Sequence, residues 1–285
     1  MSVDIAQYTG KNIPNVLQSE NARQCYRWCM EYMHENYGDN VEYEEMLYHV
    51  LLCDETRDYL YNTKPAPVRY RRGMRPVLDE IVDKVIEGCV TEREKVLAIF
   101  RYVRDLHNEW EGADVFFGGT EEELIKKREW FCERVARLLV GLCEVAGFPG
   151  RIVFHIAAGH LTSEIYFEGK WGYIDPRCGL YYLWEDGRFM SVDEIVRNRD
   201  RIYKQKPEVY GERCTYWSEA YRKHRNYHFC LSPLEMQCLC AYSLTDTDRY
   251  HFDWMIHDEA ARRADPAHQK YVEYGMMTLI PHEEA

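Results

Sequence analysis

The sequence predicts an α+β chain in which a helical N-terminal region leads into a small antiparallel sheet packed on one long apolar helix. Three observations predict it. Apolar residues recur at helical spacing from Cys132 through Val135, Leu138, Leu139, Leu142 and Ala146, and Gly147 and Pro149 then stop the helix. Three short β-branched and aromatic runs follow at residues 151–156, 161–167 and 170–174, the last two joined by a turn at Glu168-Gly169. Upstream of Cys132 the periodic segments read as helices separated by loops.

Taken in order, residues 1–15 read as a loose arm. Residues 21–36 form a helix with Cys25, Trp28, Cys29 and Met33 on one side, and residues 39–60 continue helical along Tyr43, Met46, Leu47, Val50 and Leu51. The i, i+4 spacing of Cys25 and Cys29 supplies half a metal site with no matching pair, so core packing is the preferred reading. Residues 62–75 carry prolines and the basic run Arg69-Tyr70-Arg71-Arg72. They read as a linker or exposed loop, with the charges either gripping an acidic group or solvated beside local carboxylates. Residues 76–88 are helical with Leu78, Ile81, Val82 and Val85 inward. Thr91-Glu92-Arg93-Glu94 is a capping box that opens a helix over residues 92–107. Residues 110–120 form a glycine-containing loop, and residues 120–123 start a short acidic helix. Beyond the sheet runs, Glu185-Asp186-Gly187 joins residues 180–184 and 188–190 as a hairpin. Ser191-Val192-Asp193-Glu194 is a second capping box for a helix to about residue 199. Residues 203–227 are rich in aromatics and arginine, and residues 246–285 are acidic and helical to about residue 274. Three segments are expected: a helical N-terminal region and linker (1–75), a core (76–200) and an aromatic-rich extension packed on it (201–285).

With 285 residues the chain is long enough for a substantial core. A net charge of −12 argues against a nucleic-acid partner, and no apolar run approaches membrane-spanning length. Met1 to Leu17 lacks the apolar segment of a secretory signal, and the 11 cysteines are an odd number. Both favour a reducing, cytoplasmic setting over a disulfide framework. His224 and His228 share helical spacing, but Cys214 stands alone and Cys238-x-Cys240 is too tight for a zinc pair, so no metal or other cofactor is expected.

The chemistry is concentrated between Cys132 and Asp175. Cys132 lies in the first turn of its helix, where exposed N–H groups and the helix dipole favour an anion and so a thiolate, the nucleophilic form. A two- or four-residue turn at Glu168-Gly169 sets Phe167 opposite Lys170, Thr162 opposite Asp175 and His160 opposite Arg177. His160 and Asp175 then share a face as diagonal neighbours, whereas a one-residue slip separates them. Singly, each residue has a plainer reading: a core cysteine, a surface histidine, an aspartate in a turn. Together they supply nucleophile, base and orienter.

At these residues the chain resembles the transglutaminase-like superfamily, whose pattern has a cysteine opening a long helix and a Gly-hydrophobic-Pro-x-Arg stop, then a Gly-His, a Gly-x-Trp turn and an Asp-Pro. Here these are Cys132, Gly147-Phe148-Pro149-Gly150-Arg151, Gly159-His160, Gly169-Lys170-Trp171 and Asp175-Pro176, with the resemblance running from about Thr91 to about Glu194. Phe131 stands where the family often has glycine, and Leu161-Thr162 where an aromatic is common. The resemblance implies a papain-like core with Cys132 as nucleophile, His160 as base and Asp175 as orienting carboxylate. By analogy with relatives that use an upstream side chain, Trp110 or Trp130 offers an indole N–H to an oxyanion, beside the backbone N–H of Cys132. Either tryptophan also reads as core. The implied activity is attack on an amide of a peptide, a protein or a small molecule through a thioester. Hydrolysis is preferred over amine acceptance because water is always at hand; a non-catalytic binding protein retaining the fold, or a zinc-binding module in the C-terminal third, is the alternative. Oligomeric state is not legible.

Overall fold

The computed structural model describes residues 4–8, 12–17, 19–20, 22–24, 26–27, 49–62, 65, 70, 72–106, 121–128, 132–155, 160–198, 201 and 240–243. Its helices are α1 (Ile13–Val16), α2 (Arg57–Asn62), α3 (Pro76–Val85), α4 (Glu92–Leu106), α5 (Glu121–Lys127), α6 (Cys132–Val145) and α7 (Val192–Arg197). Its strands are β1 (His49–Leu51), β2 (Gly150–His155), β3 (His160–Phe167), β4 (Lys170–Asp175), β5 (Leu180–Tyr181) and β6 (Cys240–Ser243). All six form one antiparallel sheet in the order β1-β6-β2-β3-β4-β5. The expected α+β architecture is therefore present, with α6 lying against β2 and β3.

Side chains alternate across the sheet, so one strand serves two cores. Ile152 and Phe154 of β2 and Ile174 of β4 join the cluster that contains Val135, Leu138, Leu139 and Leu142 of α6. Their neighbours Val153 and Tyr173 point the other way, into a second cluster closed by Leu60 of α2 and Ile195 of α7. Helices α3 and α4 pack on α6 and bury Leu78, Val82, Val96, Ile99, Phe100 and Val103 completely. At about 1.5–3 kcal/mol for each large apolar side chain removed from water, these contacts hold α6 in place.

Local signals in this part of the chain are realised closely. Thr91 and Glu94 exchange the two capping-box bonds, Glu94 N–H to Thr91 Oγ1 at 3.2 Å and Thr91 N–H to the Glu94 carboxylate at 2.8 Å. Ser191 and Glu194 do the same at α7. Glu168 and Gly169 both take positive φ, 51° and 75°, the conformation a two-residue hairpin demands and one that glycine adopts freely. The turn sets the expected register, Phe167 opposite Lys170 through Ser163 opposite Ile174. Gly150 has a different reason. A Cβ there would sit 2.9 Å from Val140 Cγ1 and 3.0 Å from Ile165 Cδ1, so glycine lets β2 start directly against α6.

Arg151, the last residue of the Pro-Gly-Arg stop, is buried beneath the sheet's second face. Its Nε and Nη2 donate to Glu164 Oε2 at 2.8 and 2.6 Å, and Nη1 donates to the Leu60 carbonyl. Glu164 Oε1 accepts from Tyr61 Oη at 2.9 Å and from the Val192 N–H at 2.6 Å. The guanidinium lies over Trp171 (4.0 Å) and Tyr61 (4.7 Å). Two residues of the motif pattern, Arg151 and Trp171, thus tie α2, β2, β3, β4 and α7 together.

The N-terminal region departs from expectation. Residues 49–60 do not continue as one helix: His49–Leu51 is a strand paired with β6 and α2 starts at Arg57, while residues 39–48 of that expectation lie outside the described residues. Val50 and Leu51 fit a helical stripe and a short strand equally well, and the open edge of β6 decides for strand. The arm over residues 1–15 is not wholly loose, since Ile13 is fully buried and joins the main core. The basic run divides. Tyr70 is buried with its hydroxyl 3.2 Å from Glu121 Oε1, while Arg72 pairs with Asp83 on the surface. Glu121, which opens the acidic α5, is itself fully buried against Arg75 and Arg137. The cysteines at 25 and 29, the aromatic segment 203–227 with Cys214, His224 and His228, and the tail 246–285 lie outside the described residues, and of Cys240 only the backbone is described. Among the described residues no helix is long and apolar enough to cross a membrane.

Candidate active site

Cys132 is the first residue of α6 and His160 the first residue of β3, while Asp175 is the last residue of β4. Packing of α6 on β2 and β3 brings the two element starts together, and the hairpin register brings Asp175 beside them. All three are buried. His160 Nε2 lies 2.7 Å from Asp175 Oδ2. The same ring also interacts with the Cys132 thiol.

The electrostatics follow from these contacts. Burial by itself pushes the Cys132 thiol up, but the hydrogen bond to His160 and its positive charge, with help from Arg177 and the Leu161 N–H, outweigh it and bring the thiol below its ordinary value. Burial alone lowers His160. The Asp175 charge and hydrogen bond, with the Cys132 and Cys178 thiols, instead raise it well above an ordinary histidine. Burial likewise raises Asp175, and His160 together with Cys178 pulls it below the usual carboxylate range. The arrangement favours a thiolate–imidazolium pair backed by an ionised carboxylate.

Several side chains at the site carry no sequence expectation. The Cys178 N–H donates to Asp175 Oδ1 at 2.9 Å and Tyr173 Oη lies 3.4 Å from Oδ2, so the carboxylate is held from both sides. The Cys178 thiol also contacts His160, and burial plus the Asp175 charge push it up to about 12, keeping it protonated. His155, directly opposite His160 on β2, stacks on it at 6.1 Å and 16°. Burial, reinforced by the charge on His160, lowers His155 to about 3 and keeps that ring neutral. The Asp175–Cys178 turn has a legible signal, an aspartate three residues before a free N–H. The role of His155 has none, because it depends on the β2–β3 register. Trp110 and Trp130 lie outside the described residues. A separate cleft of about 500 Å³ opens at the turn end of the hairpin, lined by Tyr61, Tyr166, Lys170 and Trp171 among others.

Residues 79–176, from α3 to just past Asp175, match the family model of the transglutaminase-like superfamily. That segment is similar to the transglutaminase-like core. The match begins upstream of Thr91 and ends before α7, and it covers about a third of the chain. Among solved structures, a candidate cysteine protease from Cytophaga hutchinsonii aligns at 20% identity with a TM-score of 0.32. The alignment covers 44% of this chain and 43% of that one, so the chain spans less than half of that protein's length. No curated protein matches the chain.

Proposed function

We propose that the chain is a thiol-dependent enzyme that cleaves amide bonds through Cys132, His160 and Asp175. The observation that carries this reading is the position of one imidazole, bonded to a carboxylate at 2.7 Å on one side and to a thiol at a helix start on the other. In this mechanism the Cys132 thiolate attacks the carbonyl carbon and the C=O π pair moves to oxygen. The backbone N–H of Cys132, which as the first residue of α6 has no intrahelical acceptor, is a donor for that oxyanion. His160 gives its proton to the leaving nitrogen, the C–N bond breaks, and a thioester remains. His160, now neutral, takes a proton from water, and the resulting hydroxide releases the acid and restores the thiolate. An amine in place of that water makes the reaction a transamidation. Hydrolysis is the simpler outcome. Asp175, held by His160, Cys178 and Tyr173, fixes the ring orientation through both steps.

The test is thiol alkylation rate against pH, resolved by residue with mass spectrometry, in wild type and His160→Ala. Cys132 is expected to react below neutral pH ahead of the other ten cysteines, because its thiolate forms below the ordinary thiol range and persists beside an imidazolium that deprotonates only well above 6.5. His160→Ala is expected to remove that advantage, slowing alkylation by about tenfold for each unit the thiol pKa rises. Equal rates for Cys132 and the other thiols, unchanged in the variant, would reject the activated pair.

A further inference from the structure

We propose that His160, Asp175 and Cys178 also form a zinc site, and that zinc bound there switches the enzyme off. This rests on the catalytic reading above only for its consequence; the site itself rests on geometry. One ligand atom from each of the three lies within 4.8 Å of the other two, and all three residues are buried. An imidazole nitrogen, a carboxylate oxygen and a sulphur are zinc donors, whereas magnesium and calcium call for oxygen ligands throughout. Zinc–ligand bonds of about 2.0–2.3 Å in a tetrahedron place donors about 3.5 Å apart. The His160–Asp175 pair, now at 2.7 Å, opens by less than an ångström to admit the ion. Binding releases two protons to solvent, one from His160 Nε2 and one from the Cys178 thiol; Asp175 and the Cys178 thiolate then carry two negative charges, which balances the dication. Three protein ligands leave a fourth position for water, the form of a zinc site that is not purely structural.

The consequence follows from which ring nitrogen is taken. Nε2 faces Asp175, so zinc replaces that carboxylate as the partner of Nε2. His160 then keeps a proton only on Nδ1, and a zinc-bound imidazole does not pass that proton to a leaving amine and recover it. Turnover stops while Cys132 stays in place, and a chelator reverses the block.

The experiment adds zinc chloride to reduced, metal-free protein and measures affinity by competition with a chromophoric chelator, with stoichiometry by elemental analysis. It compares wild type, Cys178→Ser, Cys132→Ser and His160→Ala. Zinc held elsewhere in the chain is common to all four and cancels. One equivalent is expected to weaken at least tenfold in Cys178→Ser and in His160→Ala and to survive in Cys132→Ser. Equal binding in wild type and Cys178→Ser overturns the proposal. So does loss in Cys132→Ser with retention in Cys178→Ser, which would place the ion between Cys132 and His160. If Cys178→Ser fails to fold, a folded His160→Ala that keeps the equivalent gives the same rejection. Activation of Cys132 is read in zinc-free protein, so its failure is distinguishable from failure of the zinc site.

Discussion

The β3–β4 hairpin carries two buried charged clusters on one face, four residues apart along each strand. The inner one is Arg151–Glu164, sandwiched by Trp171 and Tyr61; the outer one is His160–Asp175, joined to Cys132. Both take charge out of water, and both satisfy it with hydrogen bonds. They differ in what can move. In the inner cluster each Glu164 oxygen has two donors, and the cation is a guanidinium that does not release its proton near neutral pH. In the outer cluster the cation is an imidazole with a raised pKa, facing a thiol whose own pKa is lowered. A proton can therefore pass between His160 and its partners, and nothing equivalent exists at Arg151. The same physics of burial makes a structural tie in one place and a candidate reactive centre in the other.

The largest effect that tests this comparison is expected from Glu164→Ala. Removing one member of a buried ion pair strands Arg151 and costs on the order of 3–5 kcal/mol, read as a lowered urea midpoint. The protein that remains folded should still alkylate Cys132 early. Loss of that reactivity in the folded state would mean the two clusters act as one.

Next is the pH dependence set by His155. Its folded pKa of about 3 lies below the ordinary 6.5, so between those values the unfolded chain binds a proton that the folded chain does not. Stability is therefore lost as pH falls below 6.5, by up to ~1.4 kcal/mol per pH unit. His155→Phe should flatten the curve between pH 6.5 and 4 in urea titrations. Asp175, whose pKa is lowered, holds its contribution above 3.8 and loses it only below. His160 has the opposite sign: its contribution is full below 6.5 and is lost as pH rises through its raised pKa. An unchanged slope in His155→Phe would show that the ring is not held neutral beside His160.

The smallest effect is expected at Thr91→Ala, which removes a cap at the exposed start of α4 and costs about 1 kcal/mol. Thermal melts should show it, with Cys132 alkylation unchanged. A change in alkylation there would mean that α4 positions α6 more tightly than packing alone requires.

Much of the core was legible because its signals are local. Caps at Thr91 and Ser191, the stop after α6 and the turn at Glu168-Gly169 each depend on residues within four positions. The turn in turn sets the register that puts His160 and Asp175 on one face. Where the signal was ambiguous the expectation failed, as at Val50 and Leu51, whose spacing suits helix and strand alike. Cys178 and His155 went unassigned for another reason. One reaches Asp175 through a turn, and the other reaches His160 through a strand pairing that no residue near it specifies.

The sequence by itself determined the helix that opens with Cys132, the hairpin that aligns His160 with Asp175, and the order in which these three residues occur. All of these rest on short-range periodicity and turn geometry. Tertiary structure alone decided that β6 inserts between β1 and β2, that Arg151 and Trp171 form the inner tie, and that His155 flanks the imidazole. The physical reason is range. A turn or a cap is settled by neighbours in the chain, whereas the pairing of β1 with β6, from His49 opposite Ser243 onward, is settled only when the sheet forms and its edges are filled.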